Sequence, residues 1–286
     1  MTIMIHFEKM HGLGNDFVII DERKFPMQLV EAQQREEAVR RIAARTTGVG
    51  CDQLLVLRYS PRADAYMQIY NADGSEVGAC GNATRCVGWM MMREKHADAA
   101  LIDTEAGMLE CRLAGKERVS VNMSAPRLSW QEIPLATATD TLHIPIESEM
   151  LRDGVAVSMG NPHLVFFVDD VAAIPLQRLG SALEHHPLFP QRVNVSVAHV
   201  ISPNHIQLRV WERGCGETMA CGTGACATFT AARRRGLVHE SATVSLQGGD
   251  LEIHWKGTES DPAHPLWMTG AIAHSFSGTL NDSQWV

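Results

Sequence analysis

The feature that most restricts the fold of this chain is that it is written twice. Ser75-Glu76-Val77-Gly78-Ala79-Cys80-Gly81 is answered 141 residues later by Gly216-Glu217-Thr218-Met219-Ala220-Cys221-Gly222, and both carry Glu-x-x-Ala-Cys-Gly. The spacing holds around the motif. Met67-Gln68-Ile69-Tyr70-Asn71 falls on Leu208-Arg209-Val210-Trp211-Glu212, and both alternate apolar and polar as half-buried strands do. Gln53 falls on Asn194, and the helical stretch 35–45 falls on 176–186. Near Gly107 and Gly248 each half reads as two short strands joined by a glycine turn. Upstream the spacing drifts to 146, where Gly14-Asn15 with Val18-Ile19-Ile20 matches Gly160-Asn161 with Leu164-Val165-Phe166. Matches in one order at nearly one spacing predict two like domains, each α+β, facing one another across an approximate two-fold axis. Expected limits are 1–128 and 129–270, with the last strand, about 271–286, returning to the first domain. The Pro-, Thr- and Ser-rich stretch 124–153 is the expected connection.

Both repeated cysteines should stand at helix starts. After Cys221 come small, helix-compatible residues as far as Ala232, then Arg233-Arg234-Arg235-Gly236, a basic last turn with a glycine stop. Cys80 precedes a helix expected from about Asn82 to Lys95. A helix start offers unpaired N–H groups and a positive dipole end, which favour a thiolate and bind a carboxylate. Two such starts meeting at one carboxylate would place a sulfur on each face of the adjacent carbon. Stereoinversion needs that layout: one base removes the proton, an acid opposite returns one, and N–H donors hold the charge that develops on the carboxylate. The two cysteine titrations should then be coupled. A single such cysteine would more often be a buried thiol; its recurrence at the same place in both halves reverses that reading.

Other classes are constrained by composition. A formal charge of −8 argues against nucleic-acid and anionic-membrane partners. The longest apolar runs are too short to span a bilayer and the start lacks a leader pattern, so the cytoplasm is the expected location. Seven cysteines with no CxxC or HxxxH spacing give no disulfide framework and make a metal site a poor expectation. Cys86 and Cys226 lie a turn or more into their helices and should face the core, while Cys51, Cys111 and Cys215 are read as structural.

Several further stretches complete the picture: His11-Gly12-Leu13-Gly14-Asn15-Asp16-Phe17, Asn71-Ala72-Asp73-Gly74-Ser75-Glu76, Met159-Gly160-Asn161-Pro162-His163, Arg192-Val193-Asn194-Val195, and 212–226 with Glu212-Arg213-Gly214 at its head. Together with the cysteine motifs they resemble the diaminopimelate epimerase family across nearly the whole chain. The resemblance implies a fold in which each half is a curved, mainly antiparallel sheet or barrel around a central helix. It implies interconversion of LL- and meso-2,6-diaminopimelate, in lysine and peptidoglycan precursor synthesis, without pyridoxal phosphate or metal. Carried over, Cys80 and Cys221 are the catalytic acid/base pair, and His163 and Glu212 adjust their pKa values. Gly81, Asn82, Gly222 and Thr223 hold the reacting carboxylate by backbone N–H groups. Asn15, Gln53, Asn71, Asn161, Asn194, Glu212 and Arg213 bind substrate, Arg213 taking the distal carboxylate and Glu212 with the asparagines the distal ammonium. Two departures stand out. Ala83 replaces a glycine usual in the family, and Phe276 stands where a tyrosine often joins a dimer contact, so a homodimer is expected less firmly. Two rival readings stay open: a two-cysteine racemase of proline or hydroxyproline, whose substrates lack a second charged head group, and a thiol redox or metal-binding protein.

Overall fold

A computed structural model of the chain describes residues 4–24, 32–78 and 80–281. Ala79, part of the repeated motif, and 282–286, the end of the expected returning strand, lie outside the described residues. The chain divides into two compact units, 1–121 with 270–286, and 122–269.

The first unit runs β1 (Met4–Gly12), β2 (Asn15–Asp21), α1 (Ala32–Ala43), β3 (Gln53–Arg58), β4 (Ala65–Asn71), β5 (Glu76–Val77), α2 (Gly81–Lys95), β6 (Ala99–Thr104), β7 (Gly107–Gly115) and β8 (Arg118–Asn122). The second repeats it: β9 (Val155–Ser158), β10 (Pro162–Phe167), α3 (Leu176–Glu184), β11 (Asn194–Ser202), β12 (His205–Glu212), β13 (Gly216–Thr218), α4 (Gly222–Arg234), β14 (Ser241–Leu246), β15 (Gly249–Trp255) and β16 (Leu266–Ala271). The last strand, β17 (Ala273–Asn281), belongs to the first unit and pairs antiparallel with β1.

Pairing repeats with the elements. In the first unit β1–β2, β3–β4, β4–β5 and β6–β7 are antiparallel, while β2–β3 and β4–β6 are parallel. In the second, β9–β10, β11–β12, β12–β13 and β14–β15 are antiparallel, while β10–β11 and β12–β14 are parallel. Parallel neighbours need a crossover, and α1, α2, α3 and α4 each supply one. The alternation seen in sequence is that of the strands: β4 buries Ala65, Met67 and Ile69 while its intervening residues Tyr66 and Gln68 are only half-buried.

The two cysteine helices are central rather than amphipathic. In α2 every residue from Gly81 to Gly88 is buried, and in α4 Gly222 and every residue from Gly224 to Ala232. α4 packs against β9, β10, β11, β12, β14 and β15, so the sheet wraps around it. A helix enclosed on all sides needs small or apolar residues all round, which α4 provides and which α2 provides apart from the buried Asn82 and Arg85. Gly88 shows how tightly: a Cβ there would stand 2.6 Å from Cys111 Sγ. Ala83 is helical and fully buried and does not have a positive φ, so the missing family glycine leaves no strain.

Two expectations are corrected. The stretch 124–153 is not a free connection, because Ile133, Leu135, Ile144, Ile146 and Leu151 are buried in the second unit's core with Leu164, Phe166 and Val195. Its apolar residues follow no helix or strand period, so only the polar composition showed in sequence. Cys215 is exposed, in the turn after β12, whereas Cys51, Cys86, Cys111 and Cys226 are buried. Among the described residues no helix is long and apolar enough to cross a membrane.

Candidate active site

In the first unit a two-residue turn starts the site. Leu13 and Gly14 have φ of 56° and 83° between the paired residues Gly12 and Asn15, the arrangement of a tight hairpin turn whose twist suits the strands. It delivers Asn15 as the first residue of β2. Asn15 Nδ2 donates to Asp52 Oδ2 at 3.0 Å, and Asp52 is tied in turn to Arg45 at 2.6 Å. Cys80 is the N-cap of α2, extended at φ −147° and ψ 112°. Its thiol donates to Asn15 Oδ1 at 3.8 Å, and Asn82 Nδ2 donates to the same oxygen at 3.3 Å. The first intrahelical bond is from Thr84 N–H to Cys80 O, so Gly81 and Asn82 present N–H groups with no acceptor inside the helix. Beside this group Gln53 Nε2 donates to Asn71 Oδ1 at 3.1 Å, joining two expected substrate residues on neighbouring strands.

In the second unit Cys221 is likewise an extended N-cap, at φ −126° and ψ 107°. Here the sulfur caps its own helix, accepting from Gly224 N–H at 3.3 Å, and lies 3.6 Å from Thr223 Oγ1. Thr223 Oγ1 accepts from Asn161 Nδ2 at 3.3 Å, which leaves its proton for the sulfur. His163 Nε2 lies 3.0 Å from Asn161 Oδ1. A carbonyl oxygen only accepts, so Nε2 carries the proton. Burial, then the Arg213 charge, lowers the His163 pKa to about 3, and the ring is neutral at any ordinary working pH. His163 therefore reaches Cys221 through Asn161 and Thr223. Asn194 is held at both ends, accepting from Arg213 N–H at 3.0 Å and donating to Pro162 O at 2.9 Å. The exposed Arg213 side chain donates to Gln191 O at 2.8 Å.

The halves differ in charge. Glu212 occupies the position that is Asn71 in the first repeat; it accepts from the Thr218 hydroxyl, and its carboxylate is close enough to Cys221 for each to shift the other's pKa. Burial raises the Glu212 pKa. Burial first, and the Glu212 charge second, hold Cys221 well above an ordinary thiol. The helix start that favours a thiolate in sequence is outweighed there, and Cys221 rests protonated. Cys51, Cys86 and Cys111 are pushed up by burial as well, to about 11, about 12 and about 12, which makes them inert at neutral pH.

Some contributors were not seen in the sequence. Arg85, fully buried in α2, donates to Asn82 Oδ1 at 2.8 Å. Its signal was there, a lone cation in the otherwise uncharged run Gly81–Met92. Glu184 of α3 is buried, accepts from Trp211 Nε1 at 2.8 Å and Gly214 N–H at 3.0 Å, and so grips both sides of Glu212-Arg213. The glutamate of the repeated motif is a brace: Gln68 donates to Glu76 and Arg209 to Glu217, each at 2.7 Å, tying the cysteine loop to the preceding strand. Among the described residues no group of three or more His, Cys, Asp or Glu could hold a metal ion.

These half-sites belong to a chain with many relatives. Among solved structures, a PhzF-family phenazine biosynthesis protein of Bacillus anthracis superposes with a TM-score of 0.69 at 15% identity, covering 97% of this chain and 99% of that one. A probable proline racemase of Agrobacterium radiobacter superposes with the same score at 16% identity, covering 96% and 92%. At such identities they share the fold. The diaminopimelate epimerase of Rhodospirillum centenum is 51% identical over 97% of this chain and 92% of its own length. That of Phenylobacterium zucineum is 49% identical over 96% and 97%. The family model for diaminopimelate epimerase matches residues 7–129 and 155–274, leaving out most of the irregular stretch before β9. Two thiol-bearing helix starts within a duplicated α+β fold, and identity near one half over almost the full length, place this chain in the diaminopimelate epimerase family.

Proposed function

We propose that the chain is an isomerase that converts LL-2,6-diaminopimelate to the meso form by moving a proton at one α-carbon between two thiols. The observation that carries this reading is the pair of extended cysteine N-caps, built from one duplicated segment, with the Glu212 carboxylate beside Cys221. Cys80 as thiolate removes the α-proton. The charge left on the substrate carboxylate is taken by N–H groups of Gly81, Asn82, Gly222 and Thr223. Cys221, protonated at rest, returns a proton, and its thiolate is then met by Gly224 N–H and the Thr223 hydroxyl. In the reverse direction the roles exchange. Stabilisation by fixed donors is what allows this chemistry without an imine-forming cofactor or a metal, and we assign neither to the enzyme.

Arg213 holds the distal carboxylate, and Asn15, Gln53, Asn71, Asn161 and Asn194 line the remaining polar contacts. The placement of Glu212 against Thr218 and Cys221 supports its part in setting the thiol more directly than a part in binding ammonium. Arg213 also favours this substrate over proline, which has no second head group to meet it. The enzyme is assigned to the cytoplasm. The homodimer that the family resemblance implies is assigned to the β1–β17 face, where Phe276, in place of the family's usual tyrosine, is 49% exposed and edge-on to Phe7 of its own chain at 6.0 Å. The test is incubation with LL-diaminopimelate and, separately, L-proline. Formation of meso-diaminopimelate, lost in Cys80→Ser and in Cys221→Ser with the fold intact, is expected. Inversion of proline alone, or full activity in either variant, would overturn the assignment.

A further inference from the structure

Two amides stand between a cation and a carboxylate in the first unit. Arg85 Nη2 donates to Asn82 Oδ1 at 2.8 Å, Asn82 Nδ2 donates to Asn15 Oδ1 at 3.3 Å, and Asn15 Nδ2 donates to Asp52 Oδ2 at 3.0 Å. A guanidinium can only donate and an ionised carboxylate can only accept. With those two ends fixed, each amide has one orientation that satisfies both neighbours. The consequence falls on Cys80, whose sulfur meets Asn15 Oδ1 at 3.8 Å: it faces an oxygen and not an NH2 group. Arg85 and Asn82 are 0% and 3% exposed, so little water reaches the cation end of this chain of bonds to replace a lost partner, while the Asp52 side chain at the other end is 42% exposed. Gly12 lies against the guanidinium, where a Cβ would stand 3.0 Å from Nη2. The second repeat has Cys226 at the position of Arg85, and there Thr223 turns a hydroxyl to the sulfur instead.

We propose that Arg85 is a positioning residue for Cys80, acting with Asp52 as the two ends of a clamp that fixes the polarity of the Asn82 and Asn15 amides. Either end suffices to keep Asn15 Oδ1 toward the sulfur. Only when both are released can Asn15 turn its NH2 group to Cys80, and a donor there stabilises a thiolate. The relevance to turnover rests on the acid/base role given to Cys80 above, but the clamp itself is read at the thiol.

The experiment is a double-mutant cycle on Arg85→Gln and Asp52→Asn, reading iodoacetamide alkylation of Cys80 at one pH by mass spectrometry, with Cys221 as the internal control. Effects of altered charge at each site cancel in the cycle, leaving the coupling. The double variant should alkylate Cys80 faster than the product of the single effects by about ten-fold, as one charge-assisted donor gained would give, with Cys221 unchanged. Arg85→Lys, which keeps a donor-only cation, should show no coupling to Asp52→Asn. Additive effects, or an equal change at Cys221, would overturn the clamp. If Arg85→Gln does not fold, the unaltered enzyme is read instead. The side-chain NH2 protons of Asn15 and Asn82 should exchange with solvent at least about ten-fold slower than those of an exposed asparagine, and equal rates would overturn it. Full activity in Cys80→Ser would remove the catalytic reading without touching either result.

Discussion

Replacing His163 by phenylalanine should make the protein more resistant to acid while it loses activity. The repeat itself supplies the precedent: His163 pairs with Asn194 in β10–β11 as Phe17 pairs with Gln53 in β2–β3, and both rings are fully buried. The folded protein holds His163 neutral, its pKa lowered from 6.5 to about 3, by burial first and by Arg213 second. A pKa depressed in the folded state means that the unfolded chain takes up the proton first as the pH falls. The stabilisation is complete above pH 6.5 and is lost between there and pH 3. Two pH units below the unfolded value, at about pH 4.5, the loss is about 3 kcal/mol, at about 1.4 kcal/mol per unit. Phenylalanine binds no proton. Asp16 and Asp21, whose pKa values are lowered by neighbouring cations against the opposing effect of burial, lose stability in both proteins and cancel in the comparison. Urea unfolding of wild type and His163→Phe at about pH 7.5 and 4.5 gives the difference directly. At the higher pH the variant should lose about 1 kcal/mol with the bond to Asn161, and at the lower pH it should be the more stable by about 2 kcal/mol. Parallel pH dependences in the two proteins would refute the reasoning.

Other perturbations separate the remaining parts of the account. Glu212→Gln removes the charge that helps keep Cys221 protonated, so Cys221 should be alkylated faster at pH 8 while turnover falls; slower alkylation would contradict the assigned role. Glu184→Gln turns an NH2 group toward Trp211 Nε1–H or Gly214 N–H, and should cost about 1–3 kcal/mol of stability and raise KM more than it lowers kcat, since it loosens Glu212-Arg213; thermal unfolding and steady-state kinetics check both. Gly88→Ala should destabilise by about 1–3 kcal/mol despite the better helix former, because the added methyl meets Cys111 Sγ at 2.6 Å and Cys111 Cβ at 2.7 Å; an unchanged midpoint of thermal unfolding would contradict this.

The duplication was legible because strands and helices leave periodic traces. Val18-Ile19-Ile20, Met67–Asn71 and the small residues after each cysteine mark β2, β4, α2 and α4 at their places in both halves. The core under 124–153 was hidden because Ile133, Ile144 and Leu151 lie in irregular chain with no period to betray them. The candidate residues were named one at a time, but the bonds between them were not. That Asn15 meets Cys80 and Asn82, or that His163 reaches Cys221 only through Asn161 and Thr223, depends on side-chain geometry that residue identity leaves open. Charge state followed the same rule. A helix start argues for a thiolate at Cys221, and the burial that reverses it is a property of the packed sheet around α4.

The most direct test is isotopic. LL-diaminopimelate is incubated with the enzyme in deuterium oxide, and the first few per cent of meso product and the remaining substrate are analysed at the α-carbon. Exchange between two separate thiols predicts one deuterium in each product molecule and none yet in the recovered substrate. Product that kept its original hydrogen, or substrate that gained label ahead of inversion, would contradict it.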